Sequence, residues 1–348
     1  MITTKAFAAH HVGSPLGPFS FERRDPRPHD VLIDISHCGV CHTDIHFVRN
    51  DFGMSFYPMV PGHEIVGTVT AVGASVKAFQ PGDTAAVGCL VDSCRQCESC
   101  AGGHEQYCEN GFVLTYSAYE KEGTTLTQGG YSSNIVVDER FVLKVSSTMD
   151  RASAAPLLCA GITTYSPLRH WKIGKDHKVA IIGLGGLGHM GVKFAAAMGA
   201  DVTVLSTSPA KKVDSQRLGA HDFVVTTDDA AVSRAANQFH FILNTLSAAH
   251  DYNRYLGMLK SSGTMVCVGL PPEPIHVPAA HIVFTRKCIA GSLIGGLPET
   301  QEMLDYCAAQ GITADVEVIA MQQINEAFER VLNSDVRYRF VIDMASLR

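Results

Sequence analysis

The chain is poor in charge and in aromatics. Charged residues make up 18% of its 348 residues and aromatic residues 8%, with a single tryptophan. Together with 46% hydrophobic residues, this excludes a disordered chain and predicts a sizeable buried core. A basic excess is missing: 28 Lys plus Arg face 34 Asp plus Glu, a net charge of −6. That leaves no basic footprint for nucleic acid. Met1–Ala6 carries no apolar signal core, so a cytoplasmic protein is expected. An unbroken hydrophobic run is lacking too. The longest apolar stretch, Val179–Ala200, is interrupted by glycines, His189 and Lys193, and no membrane span is expected from it. Cysteine is not scarce. There are 11, an odd number that cannot all pair within one chain. Without a secretory signal, they read as metal ligands or reactive thiols before disulfides.

Up to about residue 150 the chain shows short β-like runs divided by Gly and Pro. Examples are Val31–Ser36, Glu64–Val72 and Tyr131–Val137, with a turn at Pro81-Gly82-Asp83. This predicts a small, irregular, mostly-β domain. Beyond it, six strand-like runs alternate with helix-length segments: Val179–Ile182, Val202–Leu205, Phe223–Val225, Phe239–Asn244, Thr264–Val268 and Cys288–Ser292. Helices are expected at His189–Met198, Ala248–Leu259, Glu299–Ala309 and Ile324–Asn333. The alternation predicts a parallel, doubly wound α/β sheet. A last β-like run, Arg339–Asp343, is placed to return to the first domain.

Gly183-Leu184-Gly185-Gly186-Leu187-Gly188 fits G-x-G-x-x-G. It follows an apolar strand and opens a helix, the context in which glycine lets the backbone approach a pyrophosphate at a helix N-terminus. An NAD site usually carries an acid about 20 residues on, at the end of the second strand. Here that strand ends in Ser206-Thr207-Ser208, and Lys211 and Lys212 follow. Hydroxyls and cations suit a 2′-phosphate, so NADP(H) is expected. The alternative is that the lysines merely solvate a helix start.

Cys94-x2-Cys97-x2-Cys100-x7-Cys108 places four thiols within 15 residues. Four thiolates fill a tetrahedral zinc shell and leave no open position, which predicts a structural metal. An iron–sulfur run would close with a shorter last gap and a proline, but Glu109 follows Cys108. A second set of ligand-capable residues is dispersed over Cys41-His42-Thr43-Asp44-Ile45-His46, Gly62-His63-Glu64 and Cys159. Spacing alone does not join these into one site.

Taken together and in this order, five segments resemble the zinc-dependent medium-chain alcohol dehydrogenases, and within them the NADP(H)-using cinnamyl-alcohol-dehydrogenase-like branch. They are Cys38–Asp44, Val60–Glu64, the four-cysteine lobe, Cys159–Leu168 and the glycine loop. The likeness runs over essentially the whole chain. It implies a six-stranded Rossmann domain over 153–294 and a mostly-β GroES-like catalytic domain over 1–152 and 295–348, with the zinc lobe at about 89–112. It also implies two zinc ions per chain. Cys41, His63 and Cys159 would hold the catalytic one, with Glu64 adjacent, and Cys94, Cys97, Cys100 and Cys108 the structural one. Asp44 would orient His63, and Thr43 and His46 would relay a proton. The cofactor-binding residues it implies are His42, Thr163, Gly183, Gly185, Gly186, Leu187, Gly188, Ser206, Thr207, Ser208, Lys211, Val268, Ser292 and Ile294.

The implied reaction is hydride transfer between NADP(H) and a primary alcohol or aldehyde, aromatic or medium aliphatic, mainly as aldehyde reduction by a homodimer. One departure is Phe52, where many relatives carry Trp on the loop lining the substrate cleft. Competing expectations are a non-catalytic member of the superfamily, a zinc-free quinone-reductase-like enzyme and a thiol-based sensor. Cys38, Cys89, Cys267, Cys288 and Cys307 are left as small buried hydrophobes.

Overall fold

The computed structural model describes residues 1–121 and 123–347. The chain divides into two compact units, Met1–Ile162 with Gly295–Arg348, and Thr163–Ile294.

The first unit is built on a seven-stranded sheet. Its order is Val316–Ala320, Arg339–Asp343, Asp30–Gly39, Ile65–Val72, Thr84–Val87 and Leu143–Lys144, and Asn134–Asp138 also pairs with Asp30–Gly39. The long Asp30–Gly39 strand bends at two register shifts against Ile65–Val72, which lets one strand serve three neighbours. Ile33, Ile65, Val66, Val69, Ala85 and Ile135 are buried in its core. Arg339–Asp343 does return to this sheet, pairing antiparallel with His37–Gly39. Its parallel partner Val316–Ala320 carries no strong pattern in the sequence. A hairpin, Ile2–Ala8 with Gly17–Arg23, forms its own two-stranded sheet and is held to the segment before Asn134 by Phe7 N–H to Tyr131 O at 2.9 Å and Ser133 N–H to Lys5 O at 2.8 Å.

The second unit is a six-stranded, all-parallel sheet. Its order is Asp222–Val225, Asp201–Ser206, Lys178–Ile182, Phe239–Asn244, Leu259–Cys267 and Cys288–Gly291. In chain order this is 3-2-1-4-5-6, the Rossmann arrangement, whose switch point lies beside the first strand. Val179–Ile182 and Ile242–Leu243 are buried on both faces, as a sheet covered on two sides requires. The first helix, Gly188–Ala197, ends before Gly199 at φ +87°, a left-handed position that glycine takes without a Cβ clash.

The helix expected at Ala248–Leu259 is shorter. It spans Tyr252–Leu256, capped by Asp251, whose side chain accepts from the Asn253 N–H. The cap side chain outcompetes the weak helical pattern before it. The helix Leu297–Gln310 starts two residues earlier than expected, at Pro298 in its first turn. Cys288 corrects another expectation: it is exposed on the edge strand, while Cys38 and Cys307 are buried. No helix among the described residues is long and apolar enough to cross a membrane.

Candidate active site

Cys41 caps the helix His42–Arg49. Its N–H donates to Asp44 Oδ2 at 2.9 Å, folding the carboxylate back over the helix start. Asp44, fully buried, also accepts from Gly62 N–H at 3.1 Å and from the Tyr131 hydroxyl at 3.2 Å. His63 Nδ1 lies 3.1 Å from Asp44 Oδ1. An ionised carboxylate only accepts, so Nδ1 carries the proton and Nε2 keeps a free lone pair. Asp44 thus ties the helix cap, the Gly62 turn and the imidazole into one frame.

Cys159 follows the short helix Ala155–Leu158. Its Sγ lies 3.8 Å from Cys41 Sγ. A tetrahedron with zinc–sulfur bonds of about 2.3 Å has sulfur–sulfur edges of about 3.8 Å. Ligand atoms of Cys41, His63, Glu64 and Cys159 all lie within 4.8 Å of one another, and all four residues are buried. The sequence could not join them; the fold does. The Cys41 thiol is held well below its usual value by the hydrogen bond from Cys159, with Arg339 and His63 adding to the effect. The same contact pushes Cys159 up.

Glu64 brings in a residue that the sequence did not single out. Its Oε1 is ion-paired with Arg339 Nη2, while Oε2 is buried without a hydrogen-bond partner. Burial pushes the carboxyl up to about 8 against the opposing pull of Arg339. A Cβ at Gly39 would overlap the Glu64 carboxylate, so this close approach requires glycine. Two thiols, an imidazole and a carboxylate with one orphaned oxygen form a donor set suited to zinc.

His46 sits one turn along the same helix. Its Nδ1 donates to Asp51 Oδ2 at 2.7 Å, and its ring lies 4.9 Å from that of His42 and 5.2 Å from that of Phe52. Asp51 was also missed in the sequence, where an exposed turn acid carries no signal. Thr43 is half-buried on this helix.

The sulfurs of Cys94, Cys97, Cys100 and Cys108 also lie within 4.8 Å of one another, with Cys94 and Cys100 at 3.9 Å. Backbone N–H groups of Cys97 and Cys94 point at Cys94 Sγ and Cys108 Sγ. Asn110 heads the contacts that bring the Cys94 thiol down to about 5, and burial pushes Cys100 up to about 11. Arg95 pairs within the lobe with Asp92 at 2.8 Å and fastens it to the main sheet through Asp138 at 2.9 Å.

In the second unit, Gly183 has φ +87°, and a Cβ at Gly188 would strike the Gly183 carbonyl. Both positions therefore need glycine. Around Gly185 the space is open. Ser206 Oγ accepts from Ser208 N–H at 3.2 Å, and Lys211 Nζ donates to the Leu184 carbonyl at 3.0 Å. The second contact ties Lys211 to the glycine loop, and the Gly183 N–H donates to the Leu205 carbonyl at 2.9 Å, next to Ser206. Thr207 is exposed and Thr163 buried. Val268 and Ser292 follow neighbouring strands at the same sheet end, donating to Asn244 O and Cys267 O. Ile294, at φ +34°, holds a backbone conformation that is costly for a β-branched residue.

Comparison with known proteins agrees with this geometry. Residues 27–147 match the alcohol dehydrogenase GroES-like domain and residues 186–309 the zinc-binding dehydrogenase family. NADP-dependent alcohol dehydrogenase C 1 of Mycolicibacterium smegmatis is 54% identical over 349 residues, covering 100% of both chains. The chain belongs to the zinc-dependent medium-chain alcohol dehydrogenases. Aldehyde reductase YahK of Escherichia coli is 50% identical over 345 residues, covering 99% of each. A cinnamyl alcohol dehydrogenase structure from Sorghum bicolor superposes with a TM-score of 0.96 at 45% identity, over 99% of this chain and 98% of that one. This alcohol dehydrogenase is thus an enzyme of alcohol–aldehyde oxidoreduction, built from a GroES-like and a Rossmann domain.

Proposed function

We propose that the enzyme reduces aldehydes to primary alcohols with NADPH, using one zinc ion held by Cys41, His63 and Cys159 and a second held by Cys94, Cys97, Cys100 and Cys108. The observation that carries this reading is the buried cluster of Cys41, His63, Glu64 and Cys159, with its two thiols one tetrahedral edge apart. When bound, zinc supplies a Lewis acid for the substrate oxygen, and NADPH supplies the hydride.

The chain's own groups hold and move the proton. Asp51 binds His46 at Nδ1, which leaves Nε2 as the atom that exchanges it. Thr43, on the same helix, offers the hydroxyl link. Glu64 and Arg339 balance charge beneath the thiolates, and Asp44 holds His63 with Nε2 free.

Gly183–Gly188 would receive the pyrophosphate. Ser206, Thr207, Ser208 and Lys211 would take the 2′-phosphate, and a carboxylate would be repelled there. The NADP-dependent relatives favour the same cofactor. His42, Thr163, Val268, Ser292 and Ile294 complete the proposed cofactor contacts. We place the domain change near residues 152 and 295.

A homodimer through the edge strand Cys288–Gly291 is supported by its unpaired side and by exposed Val283, Phe284 and Leu293 nearby. Such an edge is otherwise prone to uncontrolled pairing.

The deciding experiment measures zinc and iron per chain on the same sample as NADPH oxidation with cinnamaldehyde or benzaldehyde. About two zinc ions, no iron and aldehyde-dependent oxidation are expected. One zinc without turnover would overturn the catalytic assignment.

A further inference from the structure

Where the strand Phe239–Asn244 ends, beside Ile182 and the glycine loop, the chain closes on itself through three hydrogen bonds. His250 Nδ1 lies 2.8 Å from the Ala248 carbonyl. A carbonyl only accepts, so Nδ1 carries the proton and Nε2 is left as an acceptor. Asn244 Nδ2 donates to that Nε2 at 2.9 Å. Asn244 Oδ1 accepts from the Leu246 N–H at 3.2 Å, which fixes the orientation of the carboxamide. Asn244 is buried, and its backbone carbonyl accepts from the Val268 N–H at 3.0 Å. The closure therefore starts from a fixed strand end.

Leu246 is the residue this closure holds. A Cβ at Gly183 would lie 3.0 Å from Leu246 Cδ2, and one at Gly269 would overlap the Leu246 carbonyl. Leu246 is thus wedged between the first glycine of the pyrophosphate loop and the backbone beyond the next strand. Its neighbour Thr245 donates to the Ile182 carbonyl at 2.7 Å, directly before Gly183.

A proton on His250 Nε2 would face the Asn244 amine, donor against donor. Flipping the carboxamide only moves the clash, because its NH2 would then face the Leu246 N–H. Either way Leu246 loses its acceptor. The ring stacks on Tyr252 at 4.3 Å, with Tyr255 at 5.9 Å. Burial pushes both phenols up, and likewise the Cys267 thiol, which lies 3.9 Å from Asn244 Nδ2. Asp251 turns away to cap the next helix through the Asn253 N–H. Glu273 and His276 border the small cleft beside the ring.

We propose that His250 is a positioning residue for the cofactor: as a neutral imidazole it holds Leu246 against Gly183, and its protonation loosens the pyrophosphate loop, so that cofactor affinity falls in acid. This rests on the cofactor site read at the glycine loop.

The test is calorimetric titration of the zinc-loaded enzyme with NADP+, in the wild type, His250→Gln and His250→Phe. Glutamine can accept from Asn244 Nδ2 and donate to the Ala248 carbonyl, and it does not titrate. Phenylalanine keeps the stack on Tyr252 and makes neither bond. In mild alkali His250→Gln should match the wild type, and His250→Phe should bind about fivefold more weakly, the loss expected for one buried hydrogen bond. At about pH 5.5 the wild type should bind roughly threefold or more weakly than His250→Gln, since an imidazole gains its proton in this range. The ratio of the two cancels ionisation of the 2′-phosphate and of His276. In turnover, His250→Phe should raise the KM for NADPH while kcat at saturating NADPH holds. Equal affinity in the wild type and His250→Phe, or parallel pH profiles for the wild type and His250→Gln, would overturn the proposal and leave the cofactor site standing. A wild type that does not bind NADP+ would overturn the cofactor reading and this proposal with it. If His250→Phe does not fold, the pH comparison decides the question.

Discussion

Cys41, His63 and Cys159 each have an ordinary reading in the sequence, and only the fold brings them within 4.8 Å of one another. Replacing Cys41 by Ser removes a soft ligand from a closely matched tetrahedral set. Turnover should fall to near background while NADPH still binds, as fluorescence titration of the cofactor would check; wild-type turnover would count against the assignment. Asp44→Asn leaves the shape but weakens the orientation of His63. Loss of such a supporting group costs roughly 10–100-fold in metal affinity or activity, readable by zinc competition with a chelator. Arg339 and Asp51 were not legible in the sequence for a physical reason. Arg339 is 275 residues from Glu64, and an exposed acid such as Asp51 looks like solvation until its histidine is in place.

At the scale of the element, local chemistry made two features readable. The glycine loop is one, because its dihedral and contact demands fall within six consecutive residues. The four-cysteine lobe is the other, because its ligands are close in sequence. The lobe has only short helices, Glu98–Ala101 and Glu105–Tyr107, and so depends on its cross-link. Cys97→Ser should lower the thermal midpoint and reduce lobe zinc together, with activity falling in proportion to folded enzyme; an unchanged midpoint would argue against a structural metal. Ser206→Asp sets a negative charge at the end of the second Rossmann strand. NADPH affinity should drop at least tenfold, or about 1.4 kcal/mol, while NADH affinity holds or improves, measured side by side. The helix at Tyr252–Leu256 shows the limit of such reading: the apolar pattern suggested three turns, and one aspartate cap shortened it.

Across the whole molecule, alternation of strands and helices was enough to predict a parallel, doubly wound sheet; the order 3-2-1-4-5-6 is read only from the fold. The first unit was legible only as mostly β, because its sheet joins strands from both ends of the chain. The exposed Phe284 side chain belongs to the proposed subunit contact. Phe284→Glu should shift the enzyme toward monomer in sedimentation velocity and leave zinc content unchanged. The late strand Arg339–Asp343 also imposes a schedule on biosynthesis. While the chain emerges, Cys41, His63 and Cys159 are all present long before the guanidinium that neutralises Glu64. A ribosome-bound chain stopped at Tyr338 therefore holds every proposed metal ligand and lacks the guanidinium that pairs with Glu64.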